Sequence, residues 1–426
     1  MGRKYLIVNA FGRSNRGDSV LLDECIEQVR MVDPDATIAG ILFEGVASAQ
    51  AAHPGVDWSE RIGNSSRFSG ALGRLEQLAY LFVAWIACAT GWFGLAQILP
   101  QSQRKTMMAY RTADFVISAP GGYIHDVNLS YIIALLHIHF GILIGAKTIL
   151  APQSIGPVKS KLGAEMTRRV LATCALMCVR EDYSRQFLIT ELGIGSEKVV
   201  VTGDSAFWNL HVTRNRSEID QFLQEIGLEQ GEQFVGATVV DWPFPHRVNP
   251  TEDKAKYEDG LVYSFAKLHR EHGLRTVIFN QVASDLNLAQ RIADRSGEYV
   301  LVHKTETEPE ILRAAIGRAR IFVGTRFHSC IFAMMEARPL TAISYLPKTE
   351  FIMRDLGLED LAIDIASIDR KALSRLVVES LEQEKAASAR INEAVNHYRS
   401  TKMHFGEVLA RVLEAEKEPQ LKEAVS

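Results

Sequence analysis

Residues 321–348 read IFVGTRFHSCIFAMMEARPLTAISYLPK, and the pattern of this stretch decides the fold class. A short apolar strand, Ile321-Phe322-Val323, is closed by Gly324. Arg326 and His328 then stand at the mouth of an apolar helix predicted over 329–337, beginning at Ser329. Pro339 stops that helix, and a second strand over 341–345 delivers Lys348. Strand, helix and strand in this order make a βαβ unit with parallel strands. In such a sheet the carboxyl ends of strands and the amino ends of helices meet at the ligand crevice. Free backbone N–H groups and the helix dipole favour anions there. One unit thus aims Arg326, His328 and Lys348 at one edge, and an anionic ligand is implied.

Outward from this unit the same alternation recurs. Upstream, strands are predicted over 234–239, 276–279 and 300–302, with helices over 254–272, 284–296 and 309–319 between them. An earlier set begins with a strand over 5–10, the loop FGRSNRGD at 11–18, a helix over 19–32 and a strand over 36–43. Gly12 and Gly17 loosen that loop, Asp18 or Ser19 can cap the helix, and Asn15 and Asp18 serve either as turn residues or as ligand contacts. The loop lacks the three spaced glycines of the dinucleotide fingerprint. Further on, a strand over 115–118 leads to Ala119-Pro120-Gly121-Gly122-Tyr123 and the polar trio His125, Asp126 and Asn128. Paired glycines after a strand let backbone N–H groups approach a ligand, although a tight loop needs them equally. Strands over 147–151, 176–179 and 199–202 follow, and Arg180 and Asp204 stand at the ends of the last two.

At 426 residues, with 47% hydrophobic and 23% charged residues, the chain is globular and too long for one ordinary core. The expected layout is an N-terminal Rossmann-like domain at 1–208 and a linker at 209–231. A C-terminal Rossmann-like domain at 232–370 and C-terminal helices with a frayed tail at 371–426 complete it. The net charge of -4 speaks against nucleic acid as a partner. The cysteines Cys25, Cys88, Cys174, Cys178 and Cys330 lack metal-ligand spacing, so no metal and no cofactor are expected, and buried thiols in a reducing compartment fit best. The N-terminus reads as a strand rather than a signal peptide, which places the protein in the cytoplasm.

One segment breaks the alternation. Residues 78–99, LAYLFVAWIACATGWFGLAQIL, form a run of 22 without a charge inside an apolar insertion at about 60–105. Roughly 20 apolar residues suffice to span a bilayer. A single crossing would leave parts of one sheet on opposite sides of the membrane. Arg61, Arg67 and Arg74 before it, and Arg104 and Lys105 after it, favour the cytoplasmic side at both ends. A dipping helical hairpin around Thr90-Gly91, or an interfacial helix, is therefore expected, with a buried helix pair or an oligomer interface as the alternative. The sequence is compatible with a homo-oligomer.

Taken in chain order, several motifs resemble the polysaccharide pyruvyl transferase family. They are Gly12, Asn15, Gly17 and Asp18; Gly121-Gly122 with Asp126; Gln153-Ser154-Ile155-Gly156-Pro157; Val179-Arg180-Glu181 with Ser184; Asp204; Arg326-Phe327-His328-Ser329; and Tyr345 with Lys348. Tyr123 departs from the pattern, since many members carry a third glycine there. The resemblance implies a glycosyltransferase-B-like pair of Rossmann domains, an α/β architecture with a cleft between them. It implies transfer of pyruvate from phosphoenolpyruvate, as a ketal, onto a sugar that is free or polyprenyl-linked, at the inner face of the cell membrane. In that reading His328 is the general acid. Arg326, Lys348 and Arg180 hold phosphate and carboxylate, with Asn15, Gly121, Gly122 and Ser329 as further substrate contacts. Asp18, Asp126 or Asp204 orients or deprotonates the sugar hydroxyls. A nucleotide-sugar glycosyltransferase of the same architecture, or a catalytically silent partner in polysaccharide assembly, would share the fold.

Overall fold

Runs such as Tyr5-Leu6-Ile7-Val8 and Ile321-Phe322-Val323 are apolar on both faces, which suits strands covered by helices on both sides of a parallel sheet. The computed structural model describes residues 2–12, 16–64, 67–126, 129–209, 215–245 and 247–424, and it contains two such sheets. The chain divides into two compact units, Met1–Trp208 with Lys402–Ser426, and Asn209–Thr401.

In the first unit the elements run β1 (Lys4–Ala10), α1 (Arg16–Val32), β2 (Thr37–Leu42), α2 (Val46–Ala52) and β3 (Asp57–Glu60). Then come α3 (Gly70–Thr90), a 3-10 turn (Phe93–Ile98), α4 (Gln101–Thr112), β4 (Phe115–Ser118), β5 (Gly121–Ile124) and α5 (Ser130–Leu143). The unit continues with β6 (Lys147–Ile155), α6 (Lys161–Leu171), β7 (Leu176–Val179), α7 (Asp182–Gln186) and β8 (Val199–Val201). The strand order is β3-β2-β1-β4-β6-β7-β8, with β5 pairing on β6. The order reverses between β1 and β4, and that reversal is the topological switch point of a doubly wound sheet.

The second unit holds α8 (Arg216–Ile226), β9 (Phe234–Thr238), α9 (Pro250–His272), β10 (Arg275–Ile278), α10 (Leu286–Ser296) and β11 (Val300–Val302). After these come α11 (Pro309–Ile316), β12 (Ile321–Gly324), α12 (Phe327–Met335), β13 (Leu340–Ser344), α13 (Pro347–Asp355) and β14 (Ala362–Asp364). Helices α14 (Arg370–Glu382) and α15 (Glu384–Thr401) close it. The order β11-β10-β9-β12-β13-β14 puts the switch point between β9 and β12. Pro250 and Pro347 open their helices at the first positions, where a missing N–H costs nothing, and Gly273 ends α9 in the left-handed region. Helix α12 is buried all round, from Phe327 to Met334. It packs so closely on β12 that a Cβ at Gly324 would lie 2.6 Å from Cys330 Sγ.

The structure corrects several sequence expectations. Gly121-Gly122 lies in a short strand, β5, rather than a loop. The short, polar β3 was not foreseen, and β14 lies in a stretch read without a strand. The helix expected over 389–416 is two helices, and the last, α16 (Phe405–Ala424), packs Phe405, Val408, Leu409 and Leu413 into the first unit's core beside Ile26 and Val29. The apolar run is no hairpin: α3 is one helix, and Gly91 in the left-handed region is its end. It is long and apolar enough to cross a membrane. Yet Tyr80, Leu81, Ala84, Ala87 and Cys88 pack into a core with Leu6, Val8, Met107, Tyr110 and Phe140. Leu72, Leu75, Leu78, Phe82 and Trp85 point the other way, between 38% and 64% exposed. All five cysteines are buried and unbonded.

Candidate functional site

At the switch point of the second unit, Thr238 ends β9 and faces the turn from β12 into α12. Its Oγ1 accepts from the backbone N–H groups of Thr325 and Arg326, both at 3.2 Å, and lies 2.7 Å from Ser329 Oγ. Ser329 Oγ donates to the Arg326 carbonyl at 2.6 Å. Ser329 is fully buried and braces the turn. Tyr257 from α9 reaches the same turn, 3.0 Å from Thr325 Oγ1. The start of α12 is therefore rigidly held, and its first N–H groups open toward the edge of the sheet.

Arg326 is the N-cap residue of α12. Its Nε donates to Asp285 Oδ2 at 2.6 Å and its Nη2 approaches the same oxygen at 2.5 Å. Asp285 also accepts from the Asp241 N–H at 3.1 Å. Burial pushes the Asp285 carboxyl above its usual range even though Arg326 pulls it down. The guanidinium is thus oriented from one side, which leaves Nη1 without a hydrogen-bond partner among the described residues. Sequence reasoning missed Asp285: it lies 41 residues away in the chain, and no local pattern marks it.

His328, the second residue of α12, is buried with its ring edge-on to Phe327 at 5.1 Å. Lys348, the second residue of α13, puts Nζ 5.0 Å from the centre of the same Phe327 ring. The amino ends of α12 and α13 therefore converge on Phe327, with Arg326 and His328 on one and Lys348 on the other. Among the described residues Lys348 has no carboxylate partner. Thr349 beside it is fully buried, with Oγ1 lacking a hydrogen-bond partner among them. Tyr345 stacks edge-on against Trp242 at 5.0 Å and walls the same edge. Two helix ends, a guanidinium and an ammonium suit a ligand with more than one anionic group.

The sequence-predicted residues of the first unit have other duties. Arg180 and Asp204 form a sealed ion pair at 3.2 Å, with side chains 3% and 0% exposed. Asp204 also accepts from the Ala206 N–H at 2.9 Å, and Arg180 Nε donates to the Pro152 carbonyl at 3.3 Å. In this arrangement each is engaged within the protein. Asp126 Oδ2 accepts the Lys159 and Ser160 N–H groups at 2.5 and 3.1 Å, fastening the loop before α6. Tyr123 folds back so that a Cβ at Gly121 would lie 2.8 Å from its ring. Its hydroxyl bonds Ser118 Oγ at 2.8 Å, the Ala119 carbonyl at 2.7 Å and Gln153 Nε2 at 2.7 Å. Gly122 is exposed and has ordinary clearance. Asp18 sits half-exposed in the first turn of α1. Asn15 and Asn128 lie outside the described residues. Among the described residues no group of His, Cys, Asp and Glu could hold a metal ion.

Comparison with known proteins adds the family. The model of the polysaccharide pyruvyl transferase family matches residues 15–347. The amylovoran biosynthesis protein AmsJ of Erwinia amylovora is 21% identical over 384 residues, which span 86% of this chain and 89% of AmsJ. Among solved structures, Anabaena HepE in complex with UDP and glucose aligns with a TM-score of 0.58 at 13% identity, over 97% of this chain and 100% of its own. S. aureus MnaA with UDP gives a TM-score of 0.61 at 12% identity, over 99% and 97%. At such identities the likeness concerns the fold, which is glycosyltransferase-B-like.

Proposed function

Since the chain belongs to the polysaccharide pyruvyl transferase family, we propose that it transfers pyruvate from phosphoenolpyruvate, as a ketal, onto a sugar of a surface or exopolysaccharide precursor. The observation that carries this reading is the convergence of Arg326, His328 and Lys348 at the amino ends of α12 and α13. Phosphoenolpyruvate bears a phosphate and a carboxylate. Arg326, oriented by Asp285, offers a planar fork to one of them, and Lys348 offers a point charge to the other. His328, two residues after Arg326 at the start of α12, acts as the general acid.

The chemistry balances without a cofactor. A proton from His328 adds to the methylene carbon, forming the methyl group and leaving an oxocarbenium-like centre at the neighbouring carbon. One sugar hydroxyl attacks that carbon, the C–O bond to phosphate breaks, and a second hydroxyl closes the ring. Of the two hydroxyl protons released, one returns to the imidazole and the other leaves with phosphate.

A polyprenyl-linked acceptor would bring with it a peripheral position at the inner face of the cell membrane. The outer face of α3 supports that position. Between residues 67 and 113 Arg67, Arg74, Arg104, Lys105 and Arg111 stand against Glu76; Glu76 is bonded to Arg67 and Tyr80, and Lys105 pairs with Asp57 of β3. An in-plane helix with exposed Phe82 and Trp85 amid basic residues matches an anionic interface. The test of the transfer is phosphate release from phosphoenolpyruvate in the presence of free, nucleotide-linked and lipid-linked sugars. Release that depends on an acceptor is expected. Release with none of them, together with sugar transfer from a nucleotide donor, would replace this reading with a glycosyltransferase.

A further inference from the structure

One buried cation of the first unit, Arg61, has no part in the proposed transfer. Arg61 follows β3 at the carboxyl edge of its sheet, and in the sequence it reads as a basic flank of the apolar run. The structure buries it instead, at 9% exposed. Its guanidinium carbon lies 4.3 Å from the centre of the Phe43 ring. Among the described residues no carboxylate pairs with it, and its Nε has no hydrogen-bond partner. Burial pulls its pKa down to about 10, so it stays charged at neutral pH. A buried charge is normally paired, and one held without a counter-ion at a ligand-binding edge marks a site.

The surroundings indicate what the site takes. Phe43 follows β2 and Phe11 follows β1, with their rings 5.8 Å apart, and Phe11 lies 6.2 Å from Tyr123 of β5. All three rings are half-buried at this one edge. Aromatic faces beside a few polar groups suit a ring with one apolar face, such as a sugar. Below them, Asn9 Oδ1 and Gln153 Oε1 are buried acceptors without donors among the described residues. The arginine's segment is held firmly. Asn64 donates to the Phe43 carbonyl at 2.7 Å, Gln77 of α3 donates to the Asn64 carbonyl at 3.2 Å, and the Gly63 N–H donates to Gln103 of α4 at 3.1 Å.

We propose that Arg61 and the ring trio Phe11, Phe43 and Tyr123 bind the phosphate-bearing end of a sugar phosphate or sugar pyrophosphate, the acceptor. This rests on the reading that a sugar is the acceptor, and it names its charged end. The guanidinium supplies the counter-charge to the phosphate, and the rings cover the adjoining sugar.

The probe is inorganic pyrophosphate, titrated calorimetrically into full-length protein carrying Lys348→Ala, so that the cationic edge of the second unit is weakened. Adding Arg61→Met is expected to weaken binding at least about tenfold, the loss typical of a charge-assisted fork. The same change should leave thermal unfolding without ligand unchanged or raised, because an apolar stem replaces an unpaired buried cation. Unchanged affinity, or a lowered melting temperature with affinity kept, would overturn the proposal and make Arg61 structural. If the Met variant does not fold, Arg61→Lys, which keeps charge but loses the fork, is expected to bind at intermediate strength; wild-type affinity there overturns the proposal equally. Farnesyl diphosphate and uridine diphosphate separate the sources of the phosphate, since tighter binding of one over pyrophosphate points to a lipid or a nucleotide carrier. Neither phosphoenolpyruvate nor turnover enters this measurement, so its failure leaves pyruvyl transfer standing.

Discussion

The two sheets share one winding, but the charged residues that the sequence singles out at their strand ends, Arg180 and Asp204 in one and Arg326, His328 and Lys348 in the other, are treated in opposite ways. In the second unit Arg326, His328 and Lys348 crowd the amino ends of α12 and α13, and Asp285 steadies Arg326 without enclosing it. In the first unit Arg180 and Asp204 cancel each other out of reach of solvent, and Gln153, Tyr123 and Ser118 bond mainly among themselves. Charged residues at strand ends therefore do not by themselves make a site. What separates Arg180 from Arg326 is whether the cation's partner encloses it or only orients it.

The sharpest way to break the contrast is His328→Ala. Turnover should fall by about 10²–10⁴-fold, the usual contribution of a general acid, with phosphoenolpyruvate affinity changed only modestly. Steady-state kinetics at saturating donor would check it; normal turnover with much weaker donor binding makes His328 a ligand. Next in size is Asp204→Ala, which strands Arg180 and should cost about 3–5 kcal/mol of stability. Lys348→Ala, lacking such a partner, should stay within about 0.5 kcal/mol of wild type in denaturant unfolding. Equal losses in both variants would erase the distinction between the edges.

Smaller effects sharpen it. Arg326→Lys keeps the charge and loses the planar fork, so donor affinity should drop about tenfold by calorimetry. On α3 the comparison is between faces. Leu81→Ala, on the packed face, should cost about 2–5 kcal/mol. Serine at Leu75, Leu78, Phe82 and Trp85 should leave the fold intact and release the protein from anionic vesicles in a sedimentation assay. Unfolding of that variant would mean the exposed face is core in the working protein. The smallest effect concerns Glu181, whose carboxyl is raised above its ordinary 4.5 chiefly by burial, against its bonds to Ser184 and Ser154. Below pH 4.5 it is protonated folded or unfolded; above that, the folded state resists ionisation, so stability is lost as pH climbs toward the raised value. Glu181→Gln should lack that loss, visible as a gap in melting temperature that opens as pH rises above the ordinary 4.5.

Much of this was legible in the sequence, for a physical reason. Strands buried on both faces announce themselves as continuous apolar runs, so Ile321-Phe322-Val323 and its following helix were readable, and with them Arg326, His328 and Lys348. Short polar β3, Asp57-Trp58-Ser59-Glu60, carries no such run, because its place at the sheet margin sets its structure more than its composition does. Long-range pairings were invisible. Nothing local says that Asp285 meets Arg326, that Asp204 seals Arg180, or that the helix beginning at Phe405 returns to the first unit. Arg61 misled for a related cause: its charge suggested exposure, and only the fold reveals that it is buried over Phe43.

The central claim, that the second unit's cationic edge holds phosphoenolpyruvate, is tested most directly by titrating phosphoenolpyruvate into wild type, Lys348→Ala and Asp204→Asn by calorimetry. The account predicts saturable binding to wild type, a loss of about tenfold or more in Lys348→Ala, and wild-type affinity in whatever fraction of Asp204→Asn remains folded. Binding that survives Lys348→Ala intact and disappears with Asp204→Asn would move the donor to the first unit and contradict it.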